Sequence, residues 1–132
     1  MGKKNKKGIY FYNNGDKYEG DWKNGLKEGK GIYYYNNGNK YEGDWKNGKK
    51  EGRGIFYFKV VPLKGDKYEG EWKNDKMKGK GIYYFNNGNI YQGDFKNDKK
   101  EGKGKMYYID GKKEEGDWEN DKIKRKGFFT LF

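Results

Sequence analysis

Paired carboxylates recur along the chain at a spacing of two residues, and they are its most direct candidates for acid–base or metal chemistry. The pairs are Glu19 with Asp21, Glu42 with Asp44, Glu69 with Glu71, and Glu115 with Asp117. Alternate residues of a strand share a face, and two such carboxylates can move protons or bind a hard cation. Because the pair recurs from copy to copy, we interpret it as a solvated face whose acids alternate with lysines of neighbouring strands. We therefore expect neither a catalytic site nor a metal site here.

Three residue types that enzymes commonly use in nucleophile–base pairs are missing. The chain has no His and no Cys, and it also lacks Ser, so the common nucleophile–base pairs cannot form. Gly-Lys-Gly segments such as Gly29–Gly31 do not connect a strand to a helix, as a phosphate-binding loop does. We expect them to mark close approaches of neighbouring backbones. The sequence predicts a non-enzymatic protein that uses no cofactor.

One segment, YEGDW, organises the chain, because it occurs in five identical or related copies. It begins at Tyr18 and Tyr41, and it returns as YEGEW at Tyr68, YQGDF at Tyr91 and EEGDW at Glu114. Successive copies therefore start 23, 27, 23 and 23 residues apart. A period of this length indicates a repeat protein whose units bury their apolar faces against one another.

The repeated unit resembles the MORN repeat (membrane occupation and recognition nexus). The resemblance lies in Tyr-Glu-Gly-Asp-Trp-Lys-Asn-Gly, followed by Glu-Gly-Lys-Gly-Ile-Tyr and Asn-Gly, and it spans Tyr18 to about Gly127 with a half-unit, Gly8–Lys17, in front. It implies an interaction scaffold, used near the cytoskeleton, in cilia or under membranes. It also implies homodimers formed through terminal repeats, and anionic lipids, particularly phosphoinositides, as the ligand usually proposed.

The hydrophobic pattern predicts strands and no helix, since its period is two and Gly interrupts it every few residues. Asn-Gly turns between the strands are typical of hairpins. We predict an all-β fold: an extended single-layer antiparallel meander of repeated β-hairpins, about 50 Å long for eleven strands. The predicted strands lie at 8–12, 18–22, 30–35, 41–45, 53–58, 68–72, 80–85, 91–95, 103–108, 114–118 and 127–131.

The repeats divide the chain into three segments. These are a basic N-terminus with a half-repeat (1–17), four repeats (18–40, 41–67, 68–90 and 91–113) and a degenerate C-terminal capping repeat (114–132). The second repeat is longer because of FKVVPLKGD, residues 58–66, which fits either a tolerated loop insertion or an apolar loop that contacts a partner. The apolar C-terminal residues fit either a cap on the sheet or an edge strand that pairs with another molecule. They are Phe128, Phe129, Leu131 and Phe132.

The composition fits an extended sheet better than a compact domain. Hydrophobic residues make up 31% and charged residues 39%, which is poor material for a central core, whereas 20% aromatic residues argue against disorder. No apolar run approaches the roughly 20 residues of a membrane span. The basic start MGKKNKKG leads into no apolar segment of a secretory signal. We expect an intracellular, cytoplasmic protein, for which the resemblance suggests cytoskeletal, ciliary or membrane-peripheral locations.

Aromatic residues at equivalent places in successive units are the candidate partner-binding residues. By strand alternation they line one face of the sheet. They are Tyr18, Trp22, Tyr41, Trp45, Tyr68, Trp72, Tyr91, Phe95 and Trp118. We expect them to stack on each other and on a second set: Tyr33, Tyr35, Phe56, Phe58, Tyr83, Phe85 and Tyr107. A purely structural role and a groove that binds a helical or extended partner segment are both open interpretations.

The basic residues are concentrated at the two ends of the chain. Residues 1–17 hold five Lys and one Asp, and residues 121–132 hold four basic residues and one Asp, so the repeats carry only +4 of the net charge of +11. Candidate lipid-binding residues are Lys3, Lys4, Lys6, Lys7, Lys122, Lys124, Arg125 and Lys126. We predict a protein-binding scaffold, with a peripheral membrane or phosphoinositide-binding module as the alternative. Homodimerisation is a further hypothesis, and nucleic acid is the least favoured partner because the repeats are nearly neutral.

Overall fold

The computed structural model describes residues 6–126, which form one open sheet of 11 antiparallel strands. The strands follow each other in chain order, and no helix occurs among these residues. They are β1 (Lys6–Phe11), β2 (Lys17–Lys23), β3 (Leu26–Tyr34), β4 (Lys40–Lys46), β5 (Lys49–Tyr57), β6 (Lys67–Lys73), β7 (Lys76–Tyr84), β8 (Ile90–Lys96), β9 (Lys99–Tyr107), β10 (Lys113–Glu119) and β11 (Lys122–Lys126). The predicted all-β, single-layer antiparallel meander is confirmed.

The hairpin turns are shorter than the sequence suggested, so each return strand begins earlier. The prediction started the second strand of the first hairpin at residue 30, whereas β3 starts at Leu26. Asn24 and Gly25 both have positive φ, 53° and 78°, which is the geometry of a two-residue hairpin turn that matches the sheet twist. The last predicted strand, 127–131, lies outside the described residues, and the strand that follows the final short turn is β11.

A row of glycines crosses the sheet, one in each strand from β1 to β10. Its members face one another in the strand register: Gly8, Gly20, Gly31, Gly43, Gly54, Gly70, Gly81, Gly93, Gly104 and Gly116. A Cβ atom at Gly31 would lie 2.0 Å from the hydroxyl of Tyr18, and one at Gly54 would lie 2.1 Å from the hydroxyl of Tyr41. The glycine row therefore makes the space that the tyrosine rings fill.

The aromatic residues that lie over this row form a continuous chain of edge-to-face contacts. The ring of Tyr41 lies 5.1 Å from the ring of Trp45 in its own repeat and 5.2 Å from Trp72 in the next. The indole of Trp45 also donates a hydrogen bond of 3.1 Å to the carbonyl of Gly31. Each repeat is thus packed onto its neighbour by aromatic contacts, which replace the central core of a compact domain.

The opposite face of the sheet carries a row of alternating charges. In strand order this row reads Lys7, Asp21, Lys30, Asp44, Arg53, Glu71, Lys80, Asp94, Lys103 and Asp117. The carboxylate of Asp44 pairs with the ammonium of Lys30 and accepts a hydrogen bond from the backbone N–H of Arg53, 3.0 Å away. Burial raises the pKa of Asp44, but the bonds from Lys30 and Arg53 outweigh burial and lower it.

The alternating row explains why carboxylate pairs recur in the sequence. Asp44 belongs to the row of charges, whereas Glu42, two residues earlier, faces Ile32 and Ile55 across the neighbouring strands. The two acids of a pair therefore have different neighbours and different structural roles. Among the described residues, no group of three or more His, Cys, Asp or Glu side chains is arranged to hold a metal ion.

Candidate binding groove

The structure buries most of the aromatic residues that the sequence nominated for partner binding. Tyr18, Tyr41, Tyr68 and Tyr91 are 0% exposed. Trp45, Trp72, Phe95 and Trp118 are 4–5% exposed, and Trp22 is half-buried beside the edge strand β1. These residues form the floor of the aromatic face, so any partner contact by this face must be made largely by other side chains.

Another set of rings lies on the same face of the sheet as this floor and is only half-buried. We call it the aromatic ladder, and its members are Tyr12, Tyr33, Tyr35, Phe56, Phe58, Tyr83 and Phe85. Each ring is 4.6–5.9 Å from the next, centroid to centroid. The described residues form a single sheet, so no second layer of described chain covers the ladder. Six of its seven members were expected to stack on the floor residues, and Tyr12 was not.

Tyr107 was wrongly assigned to the aromatic face. It lies opposite Ile90 and Lys113 in the strand register and is 37% exposed, whereas Tyr108 packs against the core. The hydroxyl of Tyr108 donates a hydrogen bond of 2.5 Å to Glu114, and this bond, with burial, raises the pKa of Tyr108 to about 12. The physical reason is strand alternation: Met106 occupies the ladder position of this repeat, so the next residue points to the other face.

Three lysines extend into the aromatic face. Lys27, Lys50 and Lys100 lie opposite the Trp or Phe of their own hairpin. The ammonium of Lys50 lies 5.2 Å from the ring of Trp72 and 5.5 Å from that of Phe56, within the range of a cation–π contact. Burial lowers the pKa of each of these lysines, and nearby aspartates oppose the shift.

The aromatic ladder opens into a groove of about 520 Å³ over the second to fourth repeats. Its lining combines floor rings, ladder rings, two of the lysines and three aspartates. The lining residues are Lys50, Phe56, Phe58, Leu63, Trp72, Asp75, Met77, Tyr83, Phe85, Phe95, Asp98, Lys100 and Asp121. This lining suits a segment that presents apolar side chains and carries charge along one side.

The insertion in the second repeat reaches this groove through Leu63. Its other apolar residues remain exposed, Val60 by 39% and Val61 by 75%. This geometry places the loop beside the groove, where it could contact a bound segment. The proposed cap or edge strand formed by the C-terminal apolar residues lies outside the described residues.

The candidate lipid-binding lysines of the two termini lie at opposite edges of the sheet. Lys6 and Lys7 belong to β1, and Lys122 and Lys124 belong to β11. Lys7 pairs with Asp21 at 2.7 Å, and Lys124 lies 3.9 Å from Glu119. Lys3 and Lys4 fall outside the described residues, as do the side chains of Arg125 and Lys126. The described members of the two basic clusters therefore do not lie on one surface.

Several groove residues were missed by sequence reasoning, although a signal for them exists. Lys50, Met77 and Lys100 each follow the Trp or Phe of their repeat by five residues, as Lys27 does outside the groove. The second residue of the short turn changes from Gly to Asp in the last three hairpins, which places Asp75, Asp98 and Asp121 at the groove. A comparison of the repeats position by position would have revealed both patterns.

A family model for the MORN repeat matches the chain five times, at residues 18–40, 41–59, 68–90, 91–113 and 115–131. A search of curated protein sequences finds no significant match. The part of the chain that the structure describes contains no helix with the length and hydropathy to cross a membrane. MORN repeats generally serve as protein- or membrane-interaction modules, and proteins built from them are generally non-catalytic. The repeat matches and the meander of hairpins together show that this chain belongs to the MORN repeat family.

Proposed function

We propose that the chain is a non-enzymatic scaffold whose aromatic groove binds an amphipathic segment of another protein. The observation that carries this proposal is the aromatic ladder, a continuous row of half-buried rings on a face that no other described part of the chain covers. The buried aromatic residues of the floor are enough to explain the stability of the sheet. That stability does not require an open ladder. Half-buried Tyr and Phe in a contiguous row are typical of binding hot spots.

The ladder suits a protein segment better than a charged polymer or a lipid headgroup. Its exposed surface is aromatic, and the two lysines that line the groove are already in contact with rings and aspartates. Apolar side chains of a helix or an extended segment can pack between the rings, as in other grooves that bind peptides. We expect such a segment to belong to a cytoskeletal, ciliary or membrane-peripheral protein.

The test is a capture experiment from a cell lysate with matched substitutions on the two faces. Phe58→Thr with Phe85→Thr alters the ladder, and Tyr57→Thr with Tyr84→Thr alters the neighbouring residues, which point to the opposite face. Both double variants must fold before they are compared. We expect a protein captured at low and high salt by the wild type and by the Tyr57 and Tyr84 variant, and lost with the Phe58 and Phe85 variant.

Other outcomes contradict the proposal. Capture that ignores the Phe58 and Phe85 substitutions and disappears as salt rises would assign binding to the basic ends, because exposed charge contacts are screened by salt. Anionic lipid would then be the ligand to test with vesicles. Loss of capture with both double variants alike would show that the binding surface is not restricted to the aromatic face.

A further inference from the structure

The third repeat differs from its neighbours at one position of the groove. Lys50 faces Trp45 in the strand register, and Lys100 faces Phe95. Met77 has the equivalent place opposite Trp72, and it is 8% exposed. An uncharged side chain therefore stands where the repeats on both sides place an ammonium group.

The rings that surround the ammonium in other repeats are retained around Met77. The Nζ atom of Lys27 lies 5.1–5.9 Å from four ring centroids, and that of Lys50 lies 5.2–5.8 Å from four. The repeat places the equivalent rings of the third unit at Phe58, Tyr68, Tyr83 and Phe95. Three of these four line the groove together with Met77. The aromatic surroundings of a cation are thus retained, and Met77 supplies no cation at this position.

The carboxylate that accompanies the ammonium is retained as well. The backbone N–H of Lys50 donates to Asp75 over 2.7 Å, and the N–H of Met77 donates to Asp98 over 2.9 Å. The ammonium of Lys50 is 3.9 Å from Asp75, and Met77 offers no such charge to Asp98.

The fourth repeat shows what the third repeat lacks. Asp121 has two lysines nearby, Lys100 from the groove at 3.7 Å and the exposed Lys99 at 4.0 Å. Asp98 has the exposed Lys76 at 3.8 Å, and Met77 takes the place of the groove lysine. The side chain of Asp98 is 45% exposed, so its carboxylate is accessible from the groove.

We propose that Met77, Phe58, Tyr83 and Asp98 form a subsite for a lysine side chain of the bound segment. The inference rests on the proposed function of the groove and names one residue type that the partner must present. The alkyl part of the lysine would pack on Met77 and the rings, and its ammonium would lie over the ring faces and reach the carboxylate of Asp98. The partner's ammonium would then lie over Met77 and supply the charge that Lys50 and Lys100 supply in their own repeats.

A selection from a random peptide library displayed on phage tests this subsite. The wild-type chain is compared with Met77→Lys, which places the chain's own ammonium in the subsite as Lys50 and Lys100 already do, so the fold should tolerate it. Gln92→Lys is the matched control, because it adds the same charge at an exposed position of the opposite face. We expect the wild type and Gln92→Lys to enrich apolar peptides with a basic residue at a fixed position, and Met77→Lys to enrich apolar peptides without it.

The outcomes separate this inference from the proposed function. Apolar peptides enriched without any basic position would overturn the subsite and leave the groove as a binding site. No enrichment over an unrelated control protein would count against the groove itself and, with it, the subsite.

A thermodynamic cycle on one enriched peptide completes the test. Replacing its lysine with norleucine should weaken binding roughly fivefold to thirtyfold, as measured by calorimetry, because a cation–π contact and an ion pair are lost. Asp98→Asn should weaken binding of the lysine peptide and leave binding of the norleucine peptide unchanged. Equal affinities of the lysine and norleucine peptides would overturn the assignment.

Discussion

The hydroxyl of Tyr83 donates a hydrogen bond of 2.6 Å to the carboxylate of Asp66, which is 5% exposed. The second oxygen of Asp66 accepts a bond of 2.8 Å from the backbone N–H of Asn86. Tyr33 makes the same bond to Asp16 two repeats earlier, also over 2.6 Å. A buried carboxylate in this position is thus satisfied by a tyrosine of the aromatic ladder and by a backbone donor.

The other two repeats have Asn in place of this aspartate, and they also lack the tyrosine. Asn39 and Asn89 accept bonds from the backbone of Lys59 and Ile109. The ladder positions of these repeats are occupied by Phe56 and Met106, which have no hydroxyl to donate. The chain therefore contains two matched solutions, Asp with Tyr and Asn with an apolar residue.

This pairing predicts a large coupling energy between positions 66 and 83. Tyr83→Phe should cost about 1–3 kcal/mol, since it leaves a buried carboxylate with one donor fewer. Asp66→Asn combined with Tyr83→Phe should recover much of that loss, because the pair then matches Asn39 with Phe56. Urea unfolding of the four proteins measures the coupling, and additive effects of the two substitutions would contradict it.

Stability should fall steeply in alkaline solution because of the buried tyrosines of the floor. Burial is the largest cause that raises the pKa of Tyr18, Tyr41, Tyr68 and Tyr91 above the ordinary value of 10. Above about pH 10 the unfolded chain loses these protons while the folded chain keeps them, so the free energy of unfolding decreases as pH rises. Urea unfolding from neutral pH to about pH 12 measures the slope.

A single substitution checks the origin of that slope. Tyr41→Phe should make the alkaline decline shallower, although it lowers stability at neutral pH by losing the bond from its hydroxyl to the carbonyl of Asp44. An alkaline decline that is the same in the wild type and in Tyr41→Phe would assign it to groups other than the buried tyrosines.

The glycine row should tolerate a methyl group at one end and reject it in the middle. A Cβ atom at Gly31 would lie 2.0 Å from the hydroxyl of Tyr18, whereas the nearest atoms to one at Gly8 belong to Trp22 at 3.6 Å. Gly31→Ala should cost about 3 kcal/mol or more, because the ring must move out of its place. Gly8→Ala should change the stability by less than about 1 kcal/mol. Thermal unfolding of the two variants measures the contrast, which equal losses would contradict.

In the row of alternating charges, the acids should matter more than the lysines. Asp44→Ala removes the acceptor of the backbone N–H of Arg53 as well as the partner of Lys30, and we expect a loss of about 1–2 kcal/mol. Lys30→Ala should cost less than about 1 kcal/mol, because its side chain is 77% exposed and its ion pair is screened by water. Urea unfolding in low and high salt measures both effects. A larger loss for Lys30→Ala would show that the ion pair dominates.

The order of the strands and the assignment of most residues to faces could be predicted from the sequence, because the apolar period is two and the repeat fixes the turns. The extent to which each aromatic ring is buried could not be predicted in the same way. Tyr41 and Phe56 share a face, yet the first is buried over the glycine row and the second is half-buried in the ladder. Alternation places a side chain above or below a sheet, and only the facing glycines decide which ring lies deeper.

The charged part of the groove was harder to predict for a related reason. Lys50 and Asp75 are 25 residues apart in the sequence. They meet because the turn between β6 and β7, which holds Asp75, lies beside the start of β5, which holds Lys50. Tyr107 is an error of a different kind, because it was assigned to the aromatic face by its residue type alone. Both cases depend on the register between strands, which a single sequence shows only after the repeats are aligned with one another.

The sequential strand order has a consequence for how the chain folds. Each strand exchanges hydrogen bonds only with the strands before and after it in the chain, so pairing closes short loops. Folding can therefore nucleate at any hairpin and spread to either side, and the sheet can gain or lose hairpins without redesign of the remainder. Cooperativity in such a molecule is transmitted from neighbour to neighbour, so a severe substitution in the middle would divide it into two halves that melt separately.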